Sequence, residues 1–175
     1  MLTALNQQLP IPSTMHQYGK EERWPLIDNK YTFPQDYIAL ITQYGSGLIA
    51  NFITLFNPFS ENEYINFFQQ KEWLIKDFQS LINDDPDDYT FVLYPKHNGF
   101  LPIGITENGD TLFWVVSSEN SDLWTIAIIP SRSSEVEFIA ENLTGFLEGI
   151  LSKRIHCSSF PEGFPPKKIT FISGY

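Results

Sequence analysis

The densest set of ligand-type side chains in the chain is "NDDPDD", residues 83 to 88, where Asp84, Asp85, Asp87 and Asp88 flank Pro86. Carboxylates at this spacing could hold a hard cation, since Ca²⁺ takes roughly six to eight oxygen ligands. A calcium loop, however, alternates its oxygens around a central glycine and closes with a glutamate, and neither stands here. The run therefore reads as a solvated acidic turn, and no metal is expected. Nitrogen and sulfur donors are sparser still. His16, His97 and His156 lie far apart in sequence, and Cys157 follows His156 directly. Adjacent side chains do not give the opposed geometry that a Cys–His nucleophile pair needs. Metalloprotease, paired-cysteine, nucleophile-elbow and phosphate-loop sequences are absent. "GSG" at 45 to 47 follows a helix and does not open one, which suits helix termination better than phosphate binding. No catalytic set and no cofactor site is expected, so the chain reads as a non-enzyme.

Charge is more informative. The 175 residues carry 21 acidic and 11 basic side chains, a net of -10. Between residues 84 and 148 stand twelve Asp or Glu against only Lys96 and Arg132, so the whole excess lies in that stretch. Repulsion from phosphates argues against direct nucleic-acid binding. A basic protein partner would be steered toward such a surface, although acidic residues also simply keep proteins soluble. No run approaches the roughly 18 apolar residues of a membrane-spanning helix. The first twenty residues lack the basic start and apolar core of a signal peptide. A single cysteine excludes an internal disulfide and suits a reducing compartment. The expectation is a cytoplasmic protein that fits one domain over residues 1–175.

The elements that would carry these residues follow from periodicity. Residues 1–30 hold three prolines and little pattern, and read as an irregular arm with one short helical turn. In "FPQDYIALITQYGSG", Pro34 suits a first helical turn and Tyr37, Leu40, Ile41 and Tyr44 share one face before Gly45 stops the helix. "LIANFITLF", residues 48 to 56, reads as one strand. Ser60 and Glu63 have capping-box spacing, opening a helix whose face is Tyr64, Phe68, Ile75, Phe78 and Ile82, interrupted by Lys71. Short strands are expected at 90–95, 101–106, 111–116 and 123–130, with turn residues between them and a type I′ hairpin at Asn108-Gly109. Ser134 and Glu137 repeat the capping spacing and open a helix through Lys153, its stripe being Ile139, Leu143, Phe146 and Ile150. The tail, residues 156–175, reads as an irregular wrap with a short strand at 169–172. The fold class is α+β: a mostly antiparallel sheet of about five strands with helices packed on it.

Within "TLFWVV", Leu112, Trp114 and Val116 point one way and Thr111, Phe113 and Val115 the other. Both sets are largely apolar, so the strand is either covered on two sides or offers one side to a partner. Trp124 poses the same question in the next strand.

These residues resemble the SUKH superfamily, which includes bacterial immunity proteins and a fungal regulator of cell-wall synthesis. The signals are the Pro-started helix ending in Tyr44-Gly45, "NPF", "GFLPIGITENGDTLFW" with its G-x-x-P-x-G hairpin, "WTIAII", and "SEVEFIAENLTGFLEGIL". They run from about Phe33 to Leu151. The resemblance implies that Gly45, Gly47, Gly104 and Gly109 serve the fold and that no catalytic set carries over. It also implies an immunity protein that binds and neutralises a cognate toxin of a polymorphic or contact-dependent system. A nuclease with a basic cleft would suit the acidic half. The alternative is a regulatory or scaffolding module with an endogenous partner. On the first reading the expected contact residues are Asp84, Asp85, Asp87, Asp88, Glu119 and Asp122, with Trp114 and Trp124 as anchors if one sheet face is open.

Overall fold

The N-terminal arm is packed rather than loose. In the computed structural model, which describes residues 2–17, 19 and 23–174, it opens with α1 (Thr3–Gln8), and Leu2, Leu5 and Leu9 are buried in the main core. Next, α2 (Gln35–Tyr44) buries Tyr37, Leu40, Ile41 and Tyr44 as their spacing requires, and the Gly45 amide donates to the Ile41 carbonyl at 2.8 Å to end it. "LIANFITLF" is not one strand. It is a tight hairpin of β1 (Gly47–Ile49) and β2 (Ile53–Leu55), turned by Ala50 and Asn51 at φ of +52° and +55°. Two consecutive positive φ values are the type I′ signature. That turn was expected at Asn108-Gly109 and lies here.

The second long helix, α3 (Phe67–Asp84), starts later than the Ser60–Glu63 spacing suggests. Its cap is Asn66, whose side-chain oxygen accepts from the amides of Phe68 and Gln69 at 3.0 and 3.1 Å. The reason lies upstream. The Asn57 amide donates to the Ile65 carbonyl and the Asn57 carbonyl accepts from the Phe67 amide, which holds Ile65 and Asn66 out of the helix. Ser60 instead closes a local turn by accepting from the Asn62 amide. Tyr64 therefore lies outside the helix and is exposed, while Phe67 takes the buried place. The stem of Lys71 is buried, and its ammonium pairs with Asp28.

Residues 90–95 do not form a strand. Leu93 makes one isolated bridge to Phe100. The run then ends because Pro95 has no amide to donate and the Lys96 amide folds back on the Leu93 carbonyl. The centre of the sheet is β3 (Gly99–Thr106), β4 (Thr111–Val116) and β5 (Thr125–Ile129), the last preceded by a 3₁₀ turn at Ser121–Leu123. The β3–β4 hairpin closes with a three-residue loop. The Thr106 amide donates to the Asp110 carbonyl, the Gly109 amide to the Thr106 carbonyl, and only Gly109 has positive φ, +86°. This is a type I turn with a glycine bulge, so Asn108 is spared the left-handed region. In β3 the register slips between Pro102 and Gly104, where a Cβ on Gly104 would meet the Thr54 carbonyl oxygen at 2.6 Å.

Beyond β5 lies the largest departure from expectation. Residues 134–153 are not one helix but β6 (Glu137–Ile139) followed by α4 (Leu143–Leu151). Asn142 caps α4 by accepting from the Gly145 amide at 2.9 Å. A last strand, β7 (Phe171–Ser173), pairs with β1. Among the described residues this gives seven strands in the order β6-β5-β4-β3-β2-β1-β7, every neighbour antiparallel, with four α-helices. The class is α+β as expected, with more strands because two of the extra ones are only three residues long and sit at the sheet's edges.

Both faces of the sheet are covered. Leu112, Trp114, Val116, Trp124, Ile126 and Ile128 face the main core with α1, α2 and α4. Phe100, Phe113, Val115, Ala127 and Ile129 face a smaller cluster completed by Phe78 of α3 and by Phe91. The question left open at "TLFWVV" is thereby answered: β4 is a central strand with no free side.

Candidate functional site

The expected contact residues separate into three groups. Asp84 ends α3, and the Asp85 amide donates to the Leu81 carbonyl at 2.9 Å. Asp85 then accepts weakly from the Asp88 amide at 3.4 Å, and Tyr89 donates its amide to the Asp85 carbonyl. All four aspartates are exposed. Among the described residues no cation pairs with them, and no three His, Cys, Asp or Glu gather to hold a metal ion. Their charge faces water.

Glu119 and Asp122 lie in the β4–β5 loop and are partly engaged. Glu119 pairs with Lys30 at 3.2 Å. Asp122 accepts from the Gln35 amide at 2.6 Å, supplying α2 with the side-chain cap that Pro34 cannot give. No hydrogen bond or ion pair among the described residues links these two carboxylates to the Asp84–Asp88 group. The acids once read as one surface are tied to different elements.

Trp114 and Trp124 are core residues, 0% and 1% exposed. Their rings lie 5.8 Å apart, and the Trp124 indole donates to the Ser118 carbonyl at 2.8 Å. Since the sheet has no open face, they present nothing to a partner. This corrects the expectation that they serve as anchors.

Other members of the acidic stretch are also consumed by the fold. Asp110 is buried and accepts from the Thr106 hydroxyl at 2.6 Å and the Ser131 amide at 3.0 Å, joining the β3–β4 hairpin to the end of β5. Glu141 and Glu148 share Arg154, at 2.9 and 2.8 Å. Glu137 holds the C-terminal tail, accepting from the Ser158 amide and hydroxyl and from the Ser159 amide. Burial pushes the Glu137 carboxyl upward, but the serine hydrogen bonds outweigh it and leave the group below the usual glutamate value. Among the described residues, the acids of this stretch that are exposed and engage no cation and no residue outside their own turn are Asp84, Asp85, Asp87, Asp88, Glu107 and Glu135.

Cys157 and His156 line a cavity of about 180 Å³ with Glu162, Phe160 and Ile150. Burial, then the charge of Glu137, pushes the Cys157 thiol up to about 12. A thiol so placed stays protonated at neutral pH, the reverse of an activated nucleophile.

Two surface features escaped the sequence reading. Phe138 on β6 is 67% exposed, and its ring touches Phe100 at 5.8 Å. Phe100 stacks on Phe91 at 5.0 Å, and Phe91 meets Tyr89 at 6.2 Å, beside Asp88. An aromatic row thus runs from the sheet edge to the acidic turn. The period-two alternation in "EVEF" was the available signal, overshadowed by the capping spacing. The other feature is an exposed pair on one side of α3, Tyr64 and Trp73, 6.3 Å apart.

The described helices include none long and apolar enough to cross a membrane. The molecule is, by class, an α+β domain built on a doubly covered antiparallel sheet, with the exposed Asp84–Asp88 run at the end of α3. The family model described as SMI1-KNR4 cell-wall, SUKH_6, matches residues 28–147. The chain belongs to this family, within the SUKH superfamily, and the match covers most of the stretch whose motifs carried the resemblance. Neither the curated proteins nor the solved structures compared with the chain gave a match.

Proposed function

We propose that this protein is a non-enzymatic immunity protein that binds and neutralises a cognate bacterial toxin in the cytoplasm. SUKH membership is consistent with an immunity role. The observation that carries the reading is the exposed, unpaired run Asp84, Asp85, Asp87 and Asp88 at the end of α3. Four carboxylates without cationic partners repel one another and offer no internal stabilisation, so their value lies in an external field. Such a field speeds the approach of a basic partner, and a nuclease, whose cleft must attract phosphates, is the toxin class that it fits. A second reading, a regulatory or scaffolding module with an endogenous partner, draws on the cell-wall description of the family model.

Co-expression separates the two. A candidate toxin, sought first in a neighbouring reading frame, should kill cells alone and spare them when this chain is present. Reversing Asp84, Asp85, Asp87 and Asp88 to lysine should slow association and flatten its salt dependence. Failure of rescue with a folded, well-expressed protein would favour the regulatory reading.

A further inference from the structure

We infer that the outer edge of β6 is a docking site for an extended basic segment of a partner protein, which adds to the sheet as an eighth strand with Phe138 as its anchor. This rests on the reading of the chain as a partner-binding module and names the surface that the module uses.

The sheet has two edges, β6 and β7. On β6, one side pairs with β5 through Ile126–Ile139, Ala127–Phe138 and Ile128–Glu137. On the other, no backbone group of residues 136–140 has a hydrogen-bond partner among the described residues. Unpaired amides and carbonyls in extended conformation are a template for another strand. Glu137 cannot sway, because Ser158 and Ser159 hold its carboxylate; Ile139 packs against the main core. The edge is therefore fixed in the extended form before any guest arrives, which lowers the ordering cost of binding.

Phe138 supplies the anchor. Large aromatic rings dominate interface energetics when a partner covers them. Its ring is exposed on the side of the smaller cluster, and contact with Phe100 continues into the row that ends at the acidic turn. A guest strand lying along β6 would place an apolar side chain against Phe138.

Charge decides the occupant. A second copy of this chain, paired antiparallel about Phe138, would bring Glu135 of each copy toward Glu141 of the other, whose charge Arg154 already engages, so self-pairing offers Glu135 no free cation. A segment bearing Lys or Arg meets Glu135 and approaches through a field in which residues 84 to 148 carry only two cations. The short, acid-flanked strand thus discourages self-pairing and admits a basic guest.

The test titrates ¹⁵N-labelled full-length protein with an alternating Lys-Val peptide about seven residues long, the length of an ordinary strand. Shift changes should centre on the amides of residues 135–140. Phe138→Ala should weaken binding about tenfold, as loss of an interface anchor does. N-methylation of alternate peptide amides should abolish binding while charge is retained. Glu135→Lys should lose the Lys-Val peptide and gain its Glu-Val counterpart. Shifts spread over the acidic loops that survive N-methylation would overturn the proposal, as would absence of shifts at residues 135–140. Concentration-dependent self-association through the same amides would replace the basic guest with a second copy. Each of these failures leaves the immunity reading standing, because co-expression rescue does not depend on which surface binds.

Discussion

Asp36 and the Asp84–Asp88 run carry the same side chain into opposite surroundings. Asp36, in the first turn of α2, is buried; one carboxylate oxygen accepts from the Tyr37 amide at 2.8 Å and the other from the Thr144 amide at 2.9 Å. One carboxylate therefore serves the amino ends of both α2 and α4, where free amides and the helix dipoles favour negative charge. The aspartates after α3 stand at a helix's carboxyl end, where the dipole opposes them, and they lack cationic partners. A buried acid earns its place through hydrogen bonds inside the fold. An exposed run at an unfavourable helix end gains little from the fold beyond the weak Asp85–Asp88 turn contact.

Substitutions can break or sharpen that contrast. The largest effect is expected from Asp36→Ala, which strands two buried amides and should cost about 2–4 kcal/mol in urea unfolding followed by circular dichroism. Asp36→Asn keeps an acceptor and should cost less. Asp110→Ala should come next, at about 1–3 kcal/mol, because the Ser131 amide and the Thr106 hydroxyl lose their shared acceptor. Equal tolerance of alanine at Asp36 and at Asp87 would erase the distinction between the two classes of acid.

Glu137 falls between them, and pH is its lever. Its folded carboxyl lies below the ordinary value of 4.5, so its contribution is complete above that value and fades as pH falls through the folded value. Protease cleavage in the tail around Ser158 should therefore rise below about pH 4.5 in the native protein, well before global unfolding. Glu137→Gln should show that elevated cleavage already at neutral pH. An identical pH profile in both proteins would mean that the serine hydrogen bonds do not hold the tail. The smallest stability effect belongs to the fourfold Asp84, Asp85, Asp87 and Asp88→Asn variant, which should stay within about 0.5 kcal/mol of the parent. Its association with a basic partner should nonetheless slow at low salt.

What could be read in advance depended on whether a signal was local. Pro34, Gly45 and the Tyr37–Tyr44 spacing bracket α2 without help from the rest of the chain. Likewise β3, β4 and β5 announce themselves by branched and aromatic runs between turn residues. The hairpin of β1 and β2 was missed because Ala50, which does not advertise the left-handed region, takes it beside Asn51, whose turn signal stood alone within an apolar run. Residues 134–153 misled because Ser134, Glu137, Ile139, Leu143, Phe146 and Ile150 satisfy a helical template, whereas β6 exists only because β5 offers it a ladder. The site suffered more. Trp114 and Trp124 could serve as anchors only if one sheet face stayed open, which the covering of both faces settles against, and the double role of Asp36 depends on Thr144, 108 positions away. The exposure of Asp84–Asp88 was legible, since proline and repeated aspartates leave a turn little alternative to water. The place of Phe138 at the sheet's rim was not.

The packed indoles of Trp114 and Trp124 have a practical corollary. Two chromophores enclosed at 5.8 Å are shielded from aqueous quenchers and exchange excitation readily, so their emission tracks melting of the interior. Trp73, on the outside of α3, answers instead to acrylamide or to a macromolecule settling nearby. The polypeptide thus carries separate intrinsic optical reporters for integrity and for encounter; a Trp73→Phe variant would remove the second and leave the packed pair together with the half-buried Trp24.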